Sequence, residues 1–241
     1  MTNREMRPLK KPEELNSSEE VAEATAMALD QAACNYAHVI YWDNQFQKLA
    51  RLDALEQVEQ DRIFNELVLG CVVLLMLVQE APDLRVSDDK RGFLKDVRDA
   101  LPKAHVAELR HLGVEKEYLK DWEKLIDMRF TEYARDRHGV RAAAMTLESK
   151  DKDLALDDLT KIQLLLPVQT VGIGCHQHIC RGETDGRDEL LKLILRRLGD
   201  FYLEFRVRLE GGKITRLDRV RMAIRRFFRR LRKRLRLAQN E

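Results

Sequence analysis

Cysteine, proline, glycine and aromatic residues are all scarce in this chain of 241 residues, and each scarcity closes off a class of protein. Four cysteines, Cys34, Cys71, Cys175 and Cys180, are too few and too unevenly spaced to form a disulfide framework, and they read as reduced thiols. Eleven glycines and five prolines are about half the usual combined share of roughly 12%. Chain reversals are therefore few, and helix is the default. The most apolar run, Leu67 to Val78, is bracketed by Glu66 and Gln79 and falls short of the ~20 residues that cross a bilayer, so it predicts a helix buried on all sides. Met1 to Lys11 has charges but no apolar core and no small-residue cleavage pattern, which predicts no secretory leader and a cytoplasmic location.

Charge is abundant and unevenly placed. The net figure of +2 hides a segregation: residues 1–205 carry 29 basic and 38 acidic side chains, a net of −9, whereas residues 206–241 carry 14 and 3, a net of +11. With 44% apolar residues the acidic part still has enough to bury a core. The expected organisation is a flexible segment 1–16, an acidic helical body 17–210 and a basic C-terminal helix 211–241.

Helical periodicity runs through the body. Ser17-Ser18-Glu19-Glu20 has capping-box spacing and predicts a helix to about Leu49; Asp53-Ala54-Leu55-Glu56 repeats the spacing before a second helix ending near Glu80. A short helix is expected over Asp88 to Ala100, ending before Pro102, with another over Lys103 to Leu112 and Gly113 as its C-terminal glycine. Val114 to Arg137 places Leu119, Trp122, Leu125, Ile126, Phe130 and Tyr133 on one face, and Gly139 breaks or bends it. Asp153 is positioned to cap a helix that Pro167 ends, and Pro167 to Gly186, with four glycines, reads as loop. Residues 201–209 fit a helix face better than the alternating strand they also resemble. The pattern predicts an all-α multi-helix bundle with a basic amphipathic C-terminal helix, and room for one short β-hairpin with Val168 to Ile173.

From Ile214 to Leu237, Leu217, Val220, Ile224, Phe227, Phe228, Leu231 and Leu235 recur every three or four residues among arginines. Twelve of the fourteen basic residues from 206 to 236 are Arg, whose planar fork suits phosphate. Arg225, Arg226, Arg229, Arg230, Arg232, Lys233, Arg234 and Arg236 are the expected contacts to a polyanion, with Phe227, Phe228 and Leu231 docking the helix. Nucleic acid, RNA above all, is the favoured partner. An anionic membrane surface, an acidic protein groove, or the acidic body of the same chain or of a second copy in a homo-oligomer are the alternatives.

Four potential metal donors lie within six residues: Cys175, His176, His178 and Cys180, a set whose chemistry suits zinc. Adjacent Cys175 and His176 point apart in any regular structure, so two or three of the four are the feasible ligands, and a metal-dependent enzyme centred here is the second functional alternative. Catalytic patterns otherwise fail. Gly172-Ile173-Gly174 lacks the third glycine of a dinucleotide fingerprint, and Gly211-Gly212-Lys213 lacks the hydroxyl residue of a phosphate loop. Glu108 and His111 form one Glu-x-x-His pair where a di-iron bundle needs two. Arg98 and His105 have a spacing that resembles the Arg-to-His motif of the HEPN helical ribonucleases, but 28 Arg and 6 His produce about two such pairs by chance, so the spacing assigns no family. The chain reads as a non-enzymatic polyanion-binding protein.

Overall fold

A computed structural model describes residues 17–149 and 155–212. The expected segment 1–16, the expected cap Asp153 and, from Lys213 onward, the basic helix lie outside the described residues. What is described is all-α: α1 (Ser18–Tyr41), α2 (Asn44–Ala50), a 3-10 turn (Leu52–Ala54), α3 (Gln57–Gln79), α4 (Asp88–His111), α5 (Lys116–Glu148), α6 (Leu156–Ile179) and α7 (Asp188–Leu209), with no strand among these residues.

The centre of the bundle is α3, which packs against α1, α4, α5, α6 and α7. Every residue from Glu66 to Gln79 is buried, because an apolar helix with no polar side to offer water must be covered all round. Ser17 begins α1 as expected, its Oγ accepting the Glu20 N–H at 3.1 Å. The helix ends at Tyr41 rather than near Leu49: Asp43 starts a new one by accepting the Gln45 N–H at 2.8 Å, and Arg51 stops that in the left-handed region at φ 56°. Gln60 of α3 then holds the reversal, donating to Leu52 O at 3.0 Å and Leu55 O at 2.9 Å.

Three expected breaks do not occur. Pro102 lies inside α4 and Pro167 inside α6, while Gly139 is passed over in α5; Gly199 likewise lies within α7. Both prolines are buried, so tertiary packing outweighs the helix bond each removes. The glycines of α6 serve close approach. A Cβ on Gly174 would stand 2.2 Å from Cε1 of Tyr133 on α5, and one on Gly172 would stand 2.5 Å from Cδ2 of Leu195 on α7. Segment Pro167 to Gly186 is thus mostly helix, with its turn confined to residues after Ile179 where Arg181 and Gly182 have positive φ. Residues 201–209 belong to α7, whose Phe201 stacks on Tyr36 of α1 at 4.6 Å, so the β-hairpin is not formed.

Gly174 and Gly139 should respond oppositely to alanine. Gly174→Ala forces Tyr133 to move and is expected to lower unfolding free energy by about 1–3 kcal/mol. Gly139 is exposed in mid-helix with nothing within 4 Å of a Cβ, so Gly139→Ala should raise it by about 0.5–1 kcal/mol. Urea titration monitored by circular dichroism reads both.

Candidate functional site

The Cys-His group forms the last two turns of α6, and the helix distributes it around its circumference. Cys175 is fully buried against α3 at Gly70, where a Cβ would come within 3.3 Å of Sγ, and its thiol donates to Glu66 O at 3.5 Å. Burial pushes that thiol far up, so it stays protonated and inert. His176 is buried on another side; desolvation pushes it below the usual imidazole range, and its Nε2 has no hydrogen-bond partner. His178 turns toward α5 and meets Glu132 Oε1 at 3.0 Å. Cys180 is the residue that ends α6, its thiol likewise pushed up by burial. These four side chains do not converge.

His178 instead terminates a polar chain across three helices. Glu66 of α3 pairs with Arg129 of α5 at 2.9 Å, Arg129 with Glu132 at 3.2 Å, and Glu132 with His178 of α6. The end of α6 is held from α3: Arg62 donates to His178 O at 2.7 Å and Ile179 O at 2.8 Å, satisfying carbonyls that the helix leaves open. Glu59 binds both Arg62 and Arg181 at 2.6 Å, and these two guanidinium groups hold its carboxyl down to about 2.

A different cluster is brought together between α1 and α4. His105 Nδ1 lies 2.8 Å from Asp30 Oδ1, both side chains almost completely buried, with Trp122 of α5 against the imidazole at a ring separation of 5.4 Å. Cys34 stands one turn after Asp30. One carboxylate oxygen of Asp30, Cys34 Sγ and one nitrogen of His105 lie within 4.8 Å of one another, and among the described residues no other group of three His, Cys, Asp or Glu does so. Asp30 Oδ2 and His105 Nε2 have no hydrogen-bond partner. Desolvation, then the Asp30 charge, push the Cys34 thiol up, and buried Glu108 adds to this. Arg98 does not share this site; it pairs with Glu80 at 3.2 Å and Asp99 at 2.7 Å and lies over Phe130.

Comparison with protein-family models, curated proteins and solved structures finds no match to this chain.

The anion-contact residues Arg225, Arg226, Arg229, Arg230, Arg232, Lys233, Arg234 and Arg236, and the docking residues Phe227, Phe228 and Leu231, lie outside the described residues. Their point of departure is defined. Arg206, almost buried near the end of α7, binds Tyr202 Oη at 2.8 Å, Asp83 at 2.9 Å and Glu210 at 3.1 Å; Glu210 also accepts the Arg85 N–H at 3.2 Å, and Lys90 Nζ donates to Leu209 O. Asp83 and Glu210 are thus both engaged by groups of the body. Asp30, Cys34 and His105 escaped sequence reasoning: Asp30 and Cys34 show only a common i, i+4 spacing, and nothing local announces a partner 75 residues away.

The Glu59 carboxyl has its folded value below that of the unfolded chain, so its contribution is present above about pH 4.5 and is lost as pH falls toward 2. The expected effect is about 1 kcal/mol, because Arg181 is largely exposed. Thermal melts from pH 6 to pH 2 should show Glu59→Gln less stable at pH 6 and converging with the natural protein at the acid end.

Proposed function

We propose that this protein binds a polyanion, nucleic acid above all, through the Arg-rich segment 214–237, the helical body serving as an acidic platform rather than a catalyst. The observation that carries the reading is the charge segregation of −9 against +11. The body's ion pairs support it. Glu59, Glu66, Glu80, Asp43 and Asp83 are each held by arginines of the body itself. A sequence with arginines at successive helical positions repels itself until an anion neutralises it, which favours a partner that supplies phosphate along a line.

The apolar stripe of the same segment has a second destination. An open groove of about 690 Å³ between α5, α6 and α7 is lined by Val140, Ala144, Leu147, Leu165 and Leu195, with Leu147 64% exposed. This favours docking of Phe227, Phe228 and Leu231 against the body, with the arginines facing outward. Docking of the stripe and anion binding by the opposite face are compatible.

Binding of single-stranded RNA and duplex DNA across a salt series tests the proposal. If the eight named basic residues all contact phosphate, log K against log salt has a slope between about −6 and −7. Replacing Arg225, Arg226, Arg229 and Arg230 by Gln in the full chain should remove about half of it, and a chain ending at Gly212 should not bind. Unchanged affinity in both variants would overturn the reading; flotation with anionic vesicles after nuclease treatment would reassign the segment to a membrane surface.

A further inference from the structure

We propose that Asp30 and Cys34 of α1 and His105 of α4 form a binding site for a divalent transition-metal ion of the zinc class, held by a carboxylate oxygen, a thiolate and an imidazole nitrogen. The site is independent of the basic segment and of the anion it binds.

Three observations converge. The first is proximity: the three donor atoms lie within 4.8 Å of one another. Zinc-to-nitrogen and zinc-to-oxygen distances of about 2.0–2.2 Å at a tetrahedral angle place the two donors about 3.3 Å apart. The present separation of 2.8 Å between His105 Nδ1 and Asp30 Oδ1 is reached through a hydrogen bond; a shift of about 0.5 Å admits a metal between them, the shared proton moving to His105 Nε2 as the neutral imidazole changes tautomer.

The second is unmet polarity. Asp30 is 1% and His105 2% exposed, yet Asp30 Oδ2 and His105 Nε2 lack partners. Each such atom costs about 1–3 kcal/mol, which makes a buried Asp–His pair a poor device for stability alone. A cation at the cluster recruits these atoms, as ligands or as the outer groups that orient ligands.

The third is donor chemistry. A nitrogen, a sulfur and an oxygen together suit zinc and its neighbours, whereas magnesium and calcium require oxygen throughout. Cys34 and Asp30 are one helical turn apart, so α1 presents both toward α4. Glu108, buried one turn beyond His105, adds negative charge that favours a cation. Three protein ligands leave a fourth position open, the arrangement of zinc sites that bind water or substrate.

Binding is written Cys34–SH + M²⁺ → Cys34–S–M⁺ + H⁺, the thiol proton passing to solvent. The full chain, stripped by chelator, is titrated with Co²⁺. One Co²⁺ per chain is expected, with a thiolate-to-cobalt charge-transfer band, the strong visible bands of four-coordination, quenching of Trp122 fluorescence, displacement by Zn²⁺, and release of at least one proton. Cys34→Ala, at a half-buried position, should fold, lose the charge-transfer band and weaken binding by more than about tenfold. His105→Gln should abolish four-coordination while the thiolate band shifts or disappears; should that variant not fold, Cys34→Ala decides alone. His178→Ala and Cys180→Ala should bind as the natural protein does. No Co²⁺ taken up by folded protein, or a thiolate band that survives Cys34→Ala, would overturn the proposal.

Discussion

Enclosure of α3 is the constraint on which the rest of this structure depends. A helix whose central turns carry only Leu, Val, Cys, Met and one Gly gains about 1.5–3 kcal/mol for each large side chain it buries, and it gains that only if neighbours stand on all sides. Five helices supply them. The polar residues at the boundaries of the apolar run then need partners inside the bundle. Glu66 takes Arg129 from α5, and Gln79 donates to its own helix at Leu75 O. The ion pairs of Glu66 and Glu80 therefore stand at the two ends of one hydrophobic run.

Close packing onto that cylinder accounts for the residues that break the usual helix rules. Gly70 on α3 admits Cys175 of α6, while Gly174 and Gly172 on α6 admit Tyr133 and Leu195. A glycine costs a helix about 1 kcal/mol, a cost offset where the missing Cβ allows two buried surfaces to meet. Three sides of α6 are thus packed, Gly172 on α7, Gly174 on α5 and Cys175 on α3, and this enclosure is why that cysteine packs instead of reacting.

Electrostatics divides the molecule into pairs that are satisfied and groups that are not. Arginines of the body cap helix ends and hold carboxylates: Arg62 at the end of α6, Arg206 at the end of α7, and Arg197 on Asp43 at the start of α2. Asp30 and His105 depart from this economy. They sit in the interior between α1 and α4 with no arginine or lysine among the described residues paired to them, one oxygen and one nitrogen unmet, beside a thiol that burial keeps protonated. A cluster of that kind is chemically poised in a way that the paired carboxylates are not.

Local pattern in the sequence was enough for the fold class, the buried nature of α3, the start of α1 at Ser17 and the helical state of residues 201–209, since each follows from periodicity or capping within a few residues. The segregation of charge was equally legible, because it is a property of order along the chain. Helix continuity through Pro102, Pro167, Gly172 and Gly174 was not, for there the packing of one helix on another outweighs local propensity. The divergence of Cys175, His176, His178 and Cys180 and the meeting of Asp30, Cys34 and His105 have one cause. Neighbours in sequence are turned about 100° apart by each residue of a helix, and only the docking of α1 on α4 decides which distant side chains face each other.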